Sequence, residues 1–574
     1  MPMVSPFGSR LGTNYCPKDN ELLEIRALLV EPTGRLQRLD DEIAELQKAI
    51  DKLAEERHSL QTFVDGHQAL ISPVRRLPLD IIQEIFIACI PTHRNCVMSA
   101  SEAPVLLGRV CSSWRAISLG TPRLWARLHV VEPQRGRRYN AVNALIDEKI
   151  GQRLAVAKMW LARSGQCPLS ISLQSGSPDD DDPTPPETPL APSETRSGQF
   201  LQELVPYAGR WKHIKVTTPP FELGVLAHLT PADVPMLESV ALYPKPQFPP
   251  RGVNWEQFGL LGAPRLGSFF TTGSSFDAQC LQALPCHQLT ELTIGNCPAW
   301  GSLLTSSVLL RTLSQCTGLR SCNVVVNDGV PLLDPAPHQQ QIVELAFLHT
   351  FRLDCGRIAC NVLDWLSLPQ LRDFTLHGHT DHSLAPFFRL CIHLETLRID
   401  SHSFTKSTLQ DSLRALAPTV AHLAIRDDTA YGPVELPLVA ALDDDVLALL
   451  TPAAPSGAHL PDPVACPGLE TLTITHCCTI SDAALLRFIT ARMGMADSDS
   501  QSGGCITTRL KRVKMQFKRV QTQDIMPALA PFIDRGLDAE ISYLPPLTTH
   551  LSPWQGLADA PSLWGLGWGS NDVW

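Results

Sequence analysis

Three groups of residues have the types and spacing to do chemistry. His377-Gly378-His379-Thr380-Asp381-His382 places three imidazoles and a carboxylate in one short stretch, a donor set suited to a divalent transition metal. His476-Cys477-Cys478 puts an imidazole beside thiols, the pairing that activates a cysteine nucleophile. Arg509, Lys511, Arg512, Lys514, Lys518 and Arg519 form a basic run without an acid, suited to an acidic partner.

The elements that would carry these residues weaken the first two readings. His379 falls in the slot after a strand that Cys297 and Cys477 fill in their own repeats, and His402 falls there too, so turn-filling accounts for it. Neighbouring residues on a strand point to opposite faces, which separates His476 from Cys477. The run Asp179 to Asp182 lies among prolines and reads as a solvated linker. There is no CxxC pair, no glycine-rich phosphate loop and no Gly-x-Ser-x-Gly elbow. The expectation is a protein with no catalytic residues, no metal and no cofactor: not an enzyme. Lys511, Arg512 and Lys514 would face outward from a repeat strand and are the candidate partner-binding residues, with a solvated edge as the plainer account.

Bulk properties agree with a binding protein. The 574 residues, 44% apolar and 18% charged, provide for more than one folding unit, and 48 prolines imply many breaks. A net charge of −10 is mild at this length and points to neither nucleic acid nor a membrane surface. No apolar run approaches the roughly 18 residues that span a bilayer. Residues 1–18 lack the charged start and apolar core of a secretory signal. The 17 cysteines sit mostly in apolar stretches, as reduced thiols of a cytoplasmic or nuclear protein would.

Along the chain, residues 1–20 read as a disordered tail and 21–71 as a heptad-patterned helix. Leu36, Ile43, Ile50 and Val64 occupy a, Leu39, Leu46, Leu53 and Leu60 occupy d, and Arg57 is the polar a residue. Such a helix of about 30 residues would extend ~45 Å. Ile at a with Leu at d favours a parallel two-stranded coiled coil. Glu42 with Gln47, and Ala49 with Ala54, give no complementary charges, so a homodimer through 36–64 and a helix laid against its own chain both stay open. Ser72-Pro73 ends the helix. An apolar helical module follows over 72–131, then a linking helix and first strand over 132–174. Residues 175–199 read as a disordered acidic, Pro-rich linker, and 546–574, with Trp564, Trp568 and Trp574, as a flexible tail.

Over 200–545 an apolar-x-x-apolar-x-apolar phrase recurs, as in Trp211/Ile214/Val216, Leu289/Leu292/Ile294, Leu348/Phe351/Leu353 and Leu469/Leu472/Ile474. From Trp211 to Leu394 successive copies start 23 to 30 residues apart, the period of a leucine-rich repeat. Stacking would bury the last two apolar residues of each phrase. Ala430–Pro467 and Met493–Thr508 read as insertions. The fold class is mixed α+β and α/β: N-terminal helices, then an irregular solenoid with parallel strands.

The module at 72–131 resembles the F-box. The matching residues are Leu77-Pro78, then Ile81, Ile85 and Phe86 on one helix, Leu106, Leu107, Val110, Cys111, Trp114 and Ile117 on the next, and Thr121-Pro122-Arg123-Leu124-Trp125 at the close. The whole layout is similar to fungal F-box-like proteins, in which a heptad helix leads into the box and degenerate leucine-rich repeats follow. One departure is the segment Thr92–Ala103, longer than the family pattern has between the two helices. The resemblance implies that Leu77, Pro78, Ile81, Ile85, Phe86, Leu107, Val110 and Trp114 bind a Skp-family adaptor within a cullin–RING ubiquitin ligase, while the repeats hold a protein substrate. The alternative is a non-catalytic interaction scaffold not linked to a ubiquitin ligase.

Overall fold

In the computed structural model the described residues are 5–132, 143–175, 196–244, 258–272, 278–295, 304–327, 342–355, 361–378, 383–427, 441–452, 464–494 and 507–545. The tail at 546–574 with its tryptophans, and most of the acidic linker, lie outside them. The chain divides into two units, residues 1–85 and 86–574, and the helix Leu79–Ala88 runs from the first into the second.

The first unit is dominated by one helix, Asp19–Ile71, which continues through Pro32 and Gly34. Among the described residues, 5–18 lead into it with contacts to its first turn. The Glu21 carboxylate accepts from the Lys18 backbone N–H (2.9 Å), Arg10 Nη1 (2.7 Å) and the Tyr15 hydroxyl (2.8 Å). Those three bonds, in that order, hold its pKa down to about 2. The heptad residues Leu36 to Val64 named above are all exposed.

The second unit is built on a parallel sheet with fourteen strands among the described residues, stacked in chain order from Arg127–Val131 to Asp538–Ser542. The recurrent phrases supply its interior. Val240, Phe269, Leu292, Cys322, Phe351, Phe374, Leu397, Leu423, Leu472 and Val513 are register partners from one strand to the next, and all are buried. Burial of each such leucine or phenylalanine contributes about 1.5–3 kcal/mol. Parallel strands require a crossover, and helices such as Ser306–Leu313, Lys406–Arg414 and Asp482–Gly494 provide it.

Three boundaries differ from the sequence reading. The sheet begins at Arg127, before the first strand expected within 132–174 and before the repeats expected from residue 200, because Arg127–Val131 pairs with Leu169–Gln174, which pairs with Trp211–Thr218. Within the supposed insertion Ala430–Pro467, helix Asp444–Leu449 buries Val446 and Leu447 and serves as the crossover of its coil. A last strand, Asp538–Ser542, follows the final recognised phrase.

Candidate functional site

In the first unit, the single helical turn Pro73–Arg76 leads Leu77 and Pro78 to the entrance of helix Leu79–Ala88. Pro78 has no N–H to leave unsatisfied, and its carbonyl accepts the first helical bond, from the Ile82 N–H (3.1 Å). Asp80 stands in the first turn, where a negative charge is favoured by the helix dipole. Leu77 is half-buried, while Pro78, Leu79, Ile81 and Ile85 are exposed. Ile81 and Ile85 are four residues apart and so share one helix face.

In the second unit, Phe86 and Leu107, two of the residues expected to contact the adaptor, are buried in the chain itself. Phe86 packs on the half-buried Trp114 with ring centroids 4.8 Å apart. Their part is to hold the helices together, whereas Val110 remains exposed. The Val-Cys-x-x-Trp phrase has a local cause: Cys111 caps helix Ser112–Leu119, its Sγ accepting from the Trp114 N–H at 3.4 Å. The Thr-Pro-x-Leu-Trp phrase then seals the joint to the sheet. Thr121 Oγ1 donates to the Ile117 carbonyl (2.7 Å), Leu124 is buried, and Trp125 Nε1 donates to the Ser118 carbonyl (2.8 Å) with its ring edge-on to Trp160 at 4.7 Å.

The departure at Thr92–Ala103 is accounted for by its contacts. Arg127 donates to the carbonyls of Pro91 (2.7 Å), Thr92 (3.3 Å) and Arg94 (2.6 Å). Asn95 exchanges hydrogen bonds with Ser170 and Ser172, Val97 bridges to His129 in parallel, and Cys96 is buried. The extra residues thus cover the free edge of the first strand, which would otherwise be open to pairing with another chain.

On the solvent face of the sheet's first strands, a cavity of about 480 Å³ is lined by Arg94, Arg127, His129, His213 and Lys215 among Thr217 and three serines. Burial, then the nearby Lys215, holds His129 below its usual pKa, and burial, then Lys212, does the same for His213. Tyr243 packs at a tilt against Phe270, ring centroids 4.6 Å apart, and lies under the Lys215 ammonium at 5.1 Å.

The basic patch expected at Lys511, Arg512 and Lys514 is answered within the chain. Lys511 pairs with Glu470 (2.8 Å), Arg512 with Asp538 (3.0 Å) and Lys514 with Glu540 (2.9 Å). The two acids on Asp538–Ser542 sit in register with Arg512 and Lys514, so this stretch is a paired edge rather than an uncompensated cationic patch.

The histidine groups resolve differently. His377 Nδ1 lies 3.0 Å from Asp400 Oδ2, and Arg426 grips the same buried carboxylate at 2.9 and 2.8 Å. Burial alone would raise the Asp400 pKa, but the bonds from His377 and Arg426 outweigh it and hold it low. His379 and His382 lie outside the described residues. His476 has a left-handed backbone (φ 62°) at a register shift between Ile474 and Cys477. Burial pushes the Cys477 thiol up, which opposes the thiolate a nucleophile needs. Asp482, which the sequence reading passed over, is buried at the start of its helix and gathers Arg519, Thr522, Gln523 and Tyr543. Its only signal in the sequence is an acid opening a helix beside the best repeat.

No protein-family model matches the chain, and no curated protein matches it. Among solved structures it has a distant neighbour. The chain is similar to one in the crystal structure of the Rad7 and Elc1 complex in yeast. Identity is 11%, coverage is 76% of this chain and 94% of that one, and the TM-score is 0.34. Likeness at that level carries no residue-by-residue correspondence.

Proposed function

We propose that this chain is a non-catalytic substrate receptor of a cullin–RING ubiquitin ligase, binding a Skp-family adaptor through its F-box-like helices and a target protein through its repeat sheet. The observation that carries the reading is the state of the Leu77-Pro78 helix. The apolar residues that resemble the adaptor contact, Ile81 and Ile85, are held out in solvent on one face. Exposed isoleucines at such spacing suit the burial of a helix face by a protein partner. Downstream, a parallel sheet offers a long, variable solvent face for cargo. Buried thiols such as Cys322 and Cys391, their pKa values pushed up to about 12 by burial, fit the reducing cytoplasm or nucleus in which such a ligase works.

The test is binding of the purified chain to a purified Skp-family adaptor by titration calorimetry. We expect a complex of one adaptor per chain, weakened at least tenfold by Ile81→Asp with Ile85→Asp, and weakened by Leu77→Ala with Pro78→Ala. Both isoleucines are exposed, so the double aspartate variant keeps its fold. A wild-type chain that does not bind, or a variant that binds as well as wild type, removes the receptor reading and leaves the interaction scaffold.

A further inference from the structure

We infer that residues 36–64 form a parallel, in-register, two-stranded coiled coil with a second copy of this chain. The inference does not depend on the adaptor. It begins from the apolar stripe on helix Asp19–Ile71: Leu36, Leu39, Ile43, Leu46, Ile50, Leu53, Leu60 and Val64 range from 43% to 64% exposed, without one buried member. At 1.5 Å per residue the helix extends ~80 Å. A helix of this length draws most of its stability from packing of its apolar face rather than from propensity. The stripe keeps a strict seven-residue repeat, and that repeat selects a left-handed supercoil of helices over a flat packing on a globular surface.

The identity and direction of the partner follow from side-chain chemistry. Ile43 and Ile50 at a with leucine at every d from Leu39 to Leu60 is the arrangement that favours two parallel strands. Arg57 is the polar a residue. In a parallel, in-register pair it lies beside Glu56 at the g position of the other copy, so two symmetric Arg57–Glu56 pairs flank the one charged layer. An antiparallel pair sets each a residue against a d residue and beside an e residue, so Arg57 would leave Glu56 and, opposite Leu46, Leu53 or Leu60, meet Gln47, Ala54 or Gln61 without a counter-charge. Arg35 at g and Asp40 at the following e complement each other in the same parallel register. None of these four charged residues makes an ion pair within its own chain among the described residues. The ion pair and amide–acid bonds on the helix, Lys48–Glu45, Gln47–Asp51 and Gln61–Asp65, involve b, c, e and f positions and leave the a/d seam clear. A single charged a layer costs stability but fixes register and strand number.

The experiment uses the full chain without adaptor. Light scattering coupled to size exclusion should give twice the 63.0 kDa chain mass, and Ile43→Asp with Ile50→Asp should return it to 63.0 kDa while the sheet unit keeps its thermal transition. Under mild oxidation the Leu46→Cys variant should join two chains through the introduced thiols, identified by the mass of the linked peptide, because d faces d in a parallel register. Arg57→Ile should keep the assembly and raise its melting temperature while relaxing its strand number. A wild-type monomer, a wild-type mass above two chains, or a dimer in which Leu46→Cys gives no linked peptide overturns the inference. Loss of adaptor binding in the Ile81 and Ile85 variants leaves this result untouched.

Discussion

At the scale of single residues, the buried carboxylates show how the repeats tolerate charge inside. Asp482 Oδ1 receives Arg519 Nη2 at 2.6 Å and the Tyr543 hydroxyl at 3.0 Å, and Oδ2 receives the Thr522 hydroxyl at 2.6 Å and the Gln523 N–H at 2.8 Å. Burial opposes the charge, yet these bonds outweigh it and hold the Asp482 pKa well below the ordinary carboxylate range, while burial and the bond to Asp482 push Tyr543 up. The folded pKa is therefore lower than the unfolded value of about 3.9, so the stabilisation is complete above that pH and is lost as pH falls through the folded value. Asp482→Asn removes one partner of a buried ion pair, a change that costs about 3–5 kcal/mol. We expect urea denaturation to show that loss at pH 7 and a smaller gap between variant and wild type at pH 3. A gap that stays constant between the two would assign the acid dependence to other groups. Neither the depth of this site nor its hydrogen bonds could be read from an isolated aspartate in the sequence, since its partners lie 37 to 61 residues away in the chain.

At the scale of elements, the strand Asp538–Ser542 decides how the basic run before it behaves. Its outward residues alternate as acids, and parallel pairing sets Asp538 opposite Arg512 and Glu540 opposite Lys514. Opposite charges across neighbouring strands stabilise by a few tenths of a kcal/mol to about 1 kcal/mol, and exposed pairs lie at the low end. We expect Asp538→Asn with Glu540→Gln to shift the melting temperature little and to delay elution from a cation exchanger markedly, because it uncovers Arg512 and Lys514. Unchanged elution would mean that the pairs do not persist in solution. A strand with Leu537 before it and Ala539 and Ile541 as its inward residues breaks the repeat phrase, which is why the sequence pattern missed it. The heptad helix is the opposite case, since its periodicity alone located it and only its lead-in required the structure.

At the scale of the whole molecule, the first strands of the sheet are Arg127–Val131 and Leu169–Gln174, and the segment 92–103 covers the first of them. A chain cut to begin at residue 200 therefore loses two strands and leaves Trp211–Thr218 as an edge with unpaired backbone groups. We expect that fragment to give less soluble protein and a lower melting temperature than one beginning at residue 86. Equal melting temperatures would show that the early strands add nothing to the sheet. The sequence by itself determined the periodic parts: the heptads, the helix after Leu77-Pro78, and the apolar rows of the repeats, because burial of a helix stripe or a strand face imposes a fixed spacing on local residues. Tertiary structure alone decided where the sheet begins, that Phe86 and Leu107 lie inside while Ile81, Ile85 and Val110 lie outside, and which acids neutralise Arg512 and Lys514. Those outcomes depend on contacts between residues far apart in the chain, and no local pattern records them.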